Sequence, residues 1–350
     1  MSKRVTIGDI AKQAGVSSST VSRVINTPKR VKASTRETVY AAMRRLEYVP
    51  ATTHRDPESL ARIIGFFAPS ILLDSVTDTI HAVESELGPT SFDLLLVNMR
   101  GERDFASFIT RNVHICRKID GAIVFSADIS DTAVEFMTGM DIPLALLHAR
   151  SPSILSVSNN NFLGGRDAAA YLLGCGYRRL AFVGWRPEDE HISDRAAGFA
   201  AALERAGFPL PQNMLAFGPL TTDGGYAATG ELFSRAEPDA VFYASDVLAL
   251  GGMQYLRESG RRVPEDIGVM GFDDLSISHT LGLTTMKQFF TEKAEMIVSY
   301  LLSRISGETR ENRAEELQMT PRVVARSTTR CITESSPSPG EGDTKQGGLP

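Results

Sequence analysis

Short apolar runs alternate with helical stretches from residue 63 to residue 327, and this alternation limits the fold more than any other feature. The runs fall at 63–68, 94–98, 122–126, 144–148, 155–158, 180–184, 215–217, 240–245, 267–272 and 322–327. Helical patterning lies between them, near 75–87, 104–118, 131–139, 163–174, 195–206, 224–236, 246–259 and 292–306. Strands that are apolar throughout and alternate with helices predict an α/β fold of parallel sheets covered on both faces. Ten strands exceed one such layer, so two doubly wound lobes are predicted. Each offers ligands the crevice beyond the carboxyl ends of its strands, and two facing lobes make a cleft.

A chain of 350 residues, 42% hydrophobic and 23% charged, has the material for a sizeable core and is not a disordered or fibrous chain. No run of about 18 apolar residues is present, so no membrane span is expected. The N-terminus carries Lys3, Arg4, Asp9 and Lys12 without the apolar region of a secretory signal. Cys116, Cys175 and Cys331 are odd in number, far apart and without metal-ligand spacing. These features point to a reducing cytoplasm, with neither metal nor cofactor.

Charge divides the chain. Residues 1–50 hold ten Lys/Arg against three Asp/Glu, a formal +7, which leaves −12 on the rest of a chain whose total is −5. A basic head on an acidic body suits a nucleic-acid module joined to a sensing or catalytic domain. The head reads as three helices. Thr6 caps the first, whose inner face is Ile10, Ala11 and Ala14, and Gly15 ends it in a left-handed turn. Ser17 caps the second, running to about Asn26 with Val21, Val24 and Ile25 inward. Ser34 and Glu37 have capping-box spacing for the third, which closes the core with Val39, Ala42, Met43 and Leu46. Two helices about a glycine turn make a helix-turn-helix, whose second helix enters the major groove. Ser18, Ser19, Ser22 and Arg23 lie on its exposed face, and Arg can grip guanine through two hydrogen bonds. Thr6, Ser17, Thr20, Asn26, Thr35 and Arg36 are expected to hold phosphates.

The segments VTIGDIAKQAGVSSSTVSRVIN and VKASTRETVYAAMRRLEYVP resemble the DNA-binding head of the lactose/galactose repressor (LacI/GalR) family without gaps. The resemblance places Ser18, Ser19 and Arg23 at base-reading positions. It extends through the body in SVSNNNFLGGRDAAAYLLGCGYRRLAFVG, DRAAGFAAALERAG, YASDVLALGGMQYLRESGRRVPEDIGVMGFDD and LTTMKQFF. It implies two lobes related to periplasmic sugar-binding proteins, roughly 63–160 with 289–318 and 161–288 with 319–330, joined by three crossings. The expected organisation is a head at 1–50, a link at 51–62, an effector-binding and dimerisation body at 63–330, and a disordered tail at 331–350. The tail is rich in Pro, Gly and Ser and lacks leucine heptads, which suits a dimer. The link departs from the family: His54 and Pro57 stand where an Ala and a minor-groove Leu are usual, and Leu60 is the nearest substitute.

Six residues are carried over as effector contacts: Ser70, His148, Arg195, Ser245, Asp273 and Phe290. Arg195, just before a helix opening AAGF, would fork onto hydroxyls or a carboxylate. Asp273 would accept from sugar hydroxyls on the side of the second lobe, while Asp246 would cap the following helix. His148 stands where many members have an acid, Ser245 where an Asn is frequent, and the lone Trp185 near the cleft mouth. The expected function is repression of a carbohydrate-utilisation operon through a pseudo-palindromic operator on double-stranded DNA, as a homodimer responding to a sugar or sugar derivative. An enzyme with a doubly wound fold is the alternative. Against it, the chain has no Walker A, HExxH, nucleophile-elbow or dinucleotide motif, and only GGRDAAA suggests a phosphate-cradling turn. A transporter's solute-binding protein is disfavoured by the basic head.

Overall fold

The computed structural model describes residues 5–26, 30–46, 48, 62–71, 74–309 and 315–330, without the side chains of Asn26, Arg44 and Asp74. The link, with His54, Pro57 and Leu60, and the tail beyond Arg330 fall outside these residues. The head contains α1 (Ile7–Ala14), α2 (Ser18–Asn26) and α3 (Ala33–Arg45). The next elements are β1 (Arg62–Ala68), α4 (Asp74–Leu87), β2 (Phe92–Asn98), α5 (Phe105–Arg111), α6 (Val113–Cys116), β3 (Gly121–Phe125), α7 (Asp131–Gly139), β4 (Leu144–Leu147) and β5 (Ser156–Asn159). They are followed by α8 (Asn161–Gly174), β6 (Leu180–Gly184), α9 (Glu190–Arg205), β7 (Leu215–Phe217), α10 (Thr222–Phe233), β8 (Ala240–Tyr243), α11 (Asp246–Glu258) and β9 (Gly268–Met270). The last are α12 (Ser276–Thr280), β10 (Thr285–Lys287), α13 (Phe290–Ser306), β11 (Glu316–Met319) and β12 (Arg322–Val324).

The head core is the one its periodicity predicts. Ile10, Ala11 and Ala14 of α1 meet Val21, Val24 and Ile25 of α2 and Val39, Tyr40, Ala42 and Met43 of α3, with Leu46 packed beside them. Thr6 and Asp9 form a full capping box, and Gly15 ends α1 at φ 65°. The expected box at Ser34 and Glu37 does not form. The third helix already starts at Ala33, so Ser34 lies inside its first turn, where its carbonyl accepts from Thr38.

The described residues fall into two compact units. Of the described residues, the first comprises those up to Gly164 together with Phe272–Thr280 and Met286–Arg322; the second comprises Gly165–Gly271, Leu281–Thr285 and the chain from Val323 to Arg330. In the first unit six parallel strands run in the order β11-β5-β4-β3-β1-β2. Strand alternation serves both faces. Ala122, Val124, Leu144 and Leu146 enter the core under α5 and α7, while Ile123, Phe125, Ala145 and Leu147 enter the one under α4 and α13. In the second unit four parallel strands run β7-β6-β8-β9. The two-lobed doubly wound body is therefore as predicted.

Two expectations are corrected. Asp273 was placed with the second lobe but lies in the first unit. Its N–H donates to the Met286 carbonyl at 2.8 Å and its own carbonyl accepts from Gln288 at 3.3 Å, which fastens it to the returning chain. Gly164 and Gly165 lie inside α8 rather than in a phosphate-cradling turn. A Cβ on Gly165 would overlap the Arg195 carbonyl, so this glycine serves close helix approach. Cys116 is free and buried, and Cys175 is disulfide-bonded. Among the described residues no helix is long and apolar enough to cross a membrane, and no group of three His, Cys, Asp or Glu is placed to hold a metal ion.

Candidate functional site

The second helix of the head starts at Ser18 because the Ser17 hydroxyl accepts the Thr20 N–H at 3.1 Å. Ser17 also shares hydrogen bonds of 2.8 Å with the hydroxyls of Ser19 and Thr20. Ser18 and Ser22 are four apart, as are Ser19 and Arg23, so the four side chains form one stripe on α2. Ser18, Ser19 and Arg23 are exposed and Ser22 is half-buried. The opposite face carries Val21, Val24 and Ile25 into the core, which fixes how the stripe faces solvent. Thr6 and Ser17 stand at the starts of α1 and α2, beside the backbone N–H groups that favour anions. Thr35 and Arg36 lie in the first turn of α3, where the Arg36 guanidinium donates to the Val31 carbonyl at 3.1 Å. The Asn26 side chain lies outside the described residues.

In the first unit, residues far apart in sequence meet at the carboxyl ends of the strands. His148 follows β4, Asn159 ends β5, and Gln288 and Lys293 flank the start of α13. The Lys293 ammonium lies 2.9 Å from His148 Nε2, 3.1 Å from Asn159 Oδ1 and 3.5 Å from Gln288 Oε1. Asn159 donates to Gln288, and Gln288 donates to the Asp273 carboxylate. Lys293, Asn159, Gln288 and Asp273 are each at most 4% exposed, whereas His148 is half-buried. The Phe125 ring meets the His148 ring edge-on at 5.2 Å. Phe290 packs against the core, with the Lys293 ammonium 5.2 Å from its ring centre. His148 and Asp273 hold φ values of 53° and 129°, a backbone region costly to L residues and concentrated at functional sites. Ser70 follows β1 at the same end of the sheet and is half-buried.

Of the six expected effector residues, the structure thus joins His148 and Asp273 in one network, with Phe290 at its edge. Asn159, Gln288 and Lys293 were not singled out from sequence. Lys293 left a readable signal. It occupies the buried stripe of α13 with Ile297, Tyr300 and Leu301, four, seven and eight residues on, where a charge is out of place.

Arg195 and Ser245 lie in the second unit. Arg195 is not ahead of a helix as expected but inside α9, which starts at Glu190 behind the Asp189 cap. Its side chain is 4% exposed, donates to the Ala244 carbonyl and lies 5.8 Å from the centre of the Trp185 ring. The residue that caps α11 is Ser245, not Asp246: its hydroxyl accepts from Val247 and Leu248 at 3.1 and 3.4 Å. Asp246 is fully buried and accepts from the Thr285 hydroxyl at 2.6 Å.

Comparison with known proteins matches residues 6–51 to the lacI family of bacterial regulatory proteins and residues 169–329 to a periplasmic binding protein-like domain. The HTH-type transcriptional repressor PurR of Erwinia tasmaniensis is 31% identical over 327 residues, covering 90% of this chain and 94% of its own. A complex of the transcriptional regulator CelR with cellobiose is 28% identical, covers 93% of this chain and all of its own, and superposes with a TM-score of 0.67. The lac repressor dimer bound to operator and the anti-inducer ONPF is 28% identical, covers 94% of this chain and all of its own, and gives a TM-score of 0.66. The matched regions take in the three-helix head and much of the two parallel α/β units. The chain belongs to the LacI family, whose members are DNA-binding transcription regulators with an effector-binding domain, not enzymes.

Proposed function

We propose that the protein binds a pseudo-palindromic operator as a homodimer and represses genes of carbohydrate use until a sugar or sugar derivative alters its grip on DNA. The observation that carries the DNA reading is the stripe of Ser18, Ser19, Ser22 and Arg23 on a helix held by a capped glycine turn. One such helix reads too few base pairs for genomic specificity, so two heads and a two-fold site are required. The polar network at the strand ends of the first unit supports an effector with hydroxyls, because the buried Asp273 carboxylate is an acceptor and the amides of Asn159 and Gln288 are bipolar. Membership of a family of bacterial DNA-binding regulators supports a cytoplasmic location.

The test is retardation of promoter fragments adjoining the gene, with and without a panel of sugars, sugar acids, sugar phosphates, polyols and nucleosides. A palindromic fragment retained at nanomolar protein and released or tightened by one compound supports the reading. Binding no stronger than to random DNA refutes it.

A further inference from the structure

One face of α3 has no part in the core of the head. Ala33, Arg36, Glu37 and Tyr40 share this face, because residues three and four apart are neighbours on a helix. Val39, Ala42 and Met43 point another way, into the head core. The four residues line a crevice of about 370 Å³ together with Arg111, Asn112 and His114, at the corner between α5 and α6. The head and this corner lie in the same compact unit. Across the crevice the Tyr40 hydroxyl donates to the Arg111 carbonyl at 3.4 Å, joining residues 71 apart in the chain.

Tyr40 serves both sides. It is 8% exposed and packs with the apolar residues of the head, while its tip meets the body. An apolar ring with a polar end suits such a boundary. Burial raises the pKa of the hydroxyl above its ordinary 10.0, against the pull of Arg36 and Arg111, so it remains a donor at neutral pH. The acceptor is equally well defined. Arg111 is the last residue of α5, and a carbonyl in the last turn of a helix takes its partner from outside the helix. The corner itself is rigid. Asp104 caps α5 by accepting the Ser107 N–H at 3.2 Å, and the Asn112 amide donates to the Phe108 carbonyl at 2.9 Å. Phe105, Phe108 and Ile109 anchor α5 in the core with Phe67 and Val124 of the sheet. The head therefore rests on a part of the first unit that moves with the sheet. The hydrogen bond is long and the crevice beside it is open, as in a contact that forms and releases. Docking uses α3 and leaves Ser18, Ser19 and Arg23 of α2 exposed, so a docked head still presents its polar stripe.

We propose that Tyr40 latches the head to the α5–α6 corner in the absence of DNA, and that this latch, alongside the link, carries effector-driven movement of the first unit to the head. The second half rests on the reading of the body as an effector domain; the latch itself does not. A head held only by a link samples many orientations and loses that freedom on binding DNA. A latched head has lost part of it beforehand, which favours binding. An effector that displaces the sheet then displaces the head with it.

The experiment uses the full-length chain without DNA and reads the tumbling of the head from the widths and relaxation of its backbone amide signals. A latched head shares the slow tumbling of the body, and an unlatched one gives the sharp signals of a small module. Slow tumbling is expected for the unmodified chain. Tyr40→Phe keeps the ring in the head core and removes only the crossing hydroxyl. It should lower the docked population ratio by roughly 2–10-fold and sharpen the head signals. Glu37→Lys sets a further cation against Arg111 and should sharpen them independently. Sharp head signals in the unmodified chain, or unchanged signals in both variants, overturn the latch. Operator retardation with and without the compound panel tests the second half. Tyr40→Phe should weaken effector-free operator binding by up to the same factor and shrink the response to effector. A full response from a head shown to tumble freely overturns the transmission. If no compound alters operator retention, the effector-domain reading and the transmission fail together, while the tumbling measurement still decides the latch.

Discussion

The head and the strand-end network of the first unit solve the same problem, holding polar side chains in fixed directions, by opposite means. In the head every support is local. Thr6 and Asp9 cap α1, Ser17 caps α2 two residues after the Gly15 turn, and the polar stripe spans Ser18 to Arg23. In the first unit the supports come from residues 148, 159, 273, 288 and 293, and side chains bond to one another across as many as 145 residues. A local device can be altered piece by piece. A nonlocal one fails or holds as a unit, because removing one partner leaves others buried and unsatisfied.

The largest expected effect tests how the body holds such sites. Gly165→Ala should destabilise the second unit by about 3 kcal/mol, because the new Cβ overlaps a backbone carbonyl that cannot rotate away. Calorimetry should show the body transition falling by several degrees. A shift within error would mean that α8 and α9 can separate freely. Next, Arg195→Ala should abolish the response to effector while sparing operator affinity in its absence. The loss expected is the whole coupling, about 1–3 kcal/mol or a 5–150-fold change in affinity. A mutant with the wild-type midpoint and amplitude removes Arg195 from the ligand contacts.

In the head, Arg23→Ala should cost about 1–3 kcal/mol of operator affinity and relax base preference at one position per half-site. Unchanged preference would move the reading face elsewhere on α2. Gly15→Ala offers the direct contrast with Gly165. Nothing lies within 4 Å of the added Cβ, so the cost is only that of φ 65°, about 1–2 kcal/mol confined to the head transition. The smallest effect at neutral pH concerns Cys116. Burial pushes its thiol up to about 12 from the ordinary 9.0, so the folded state binds a proton that the unfolded state gives up first. Its contribution to stability is complete below pH 9 and is lost as the pH rises from about 9 to 12. Native protein should resist alkylation at pH 8 and react on unfolding; rapid native alkylation would contradict the burial.

The same contrast explains what sequence could reveal. The head was legible because its determinants are neighbours: Thr6, Gly15, Ser17 and the apolar positions of α1 and α2 all lie within twenty residues of one another. The start of α3 was misread because its first turn contains a capping-box spacing two residues beyond the true cap position, Lys32, while Arg36 folds back on Val31. In the body the apolar strands announced themselves, but Thr285–Lys287 and Glu316–Met319 did not. One is only three residues long; the other is an edge strand with polar residues at alternate positions. His148 and Asp273 were legible through resemblance. Asn159 and Gln288 carry no mark of their own, since a buried amide is defined by partners that only the folded chain brings together.

The left-handed backbone at the strand ends has a consequence for variation. Ser126, His148 and Asp274 sit at φ 49°, 53° and 60°, and Asp273 at 129°. Such positions accept Asn, Asp, Gly, Ser or His far more readily than β-branched or bulky apolar residues. A randomised library at residue 148 should therefore return a short alphabet, enriched in exactly those small polar types even without selection for binding. Substitution at these corners is thus channelled: one hydrogen-bonding group can be exchanged for another, but a bulky apolar side chain is strained there.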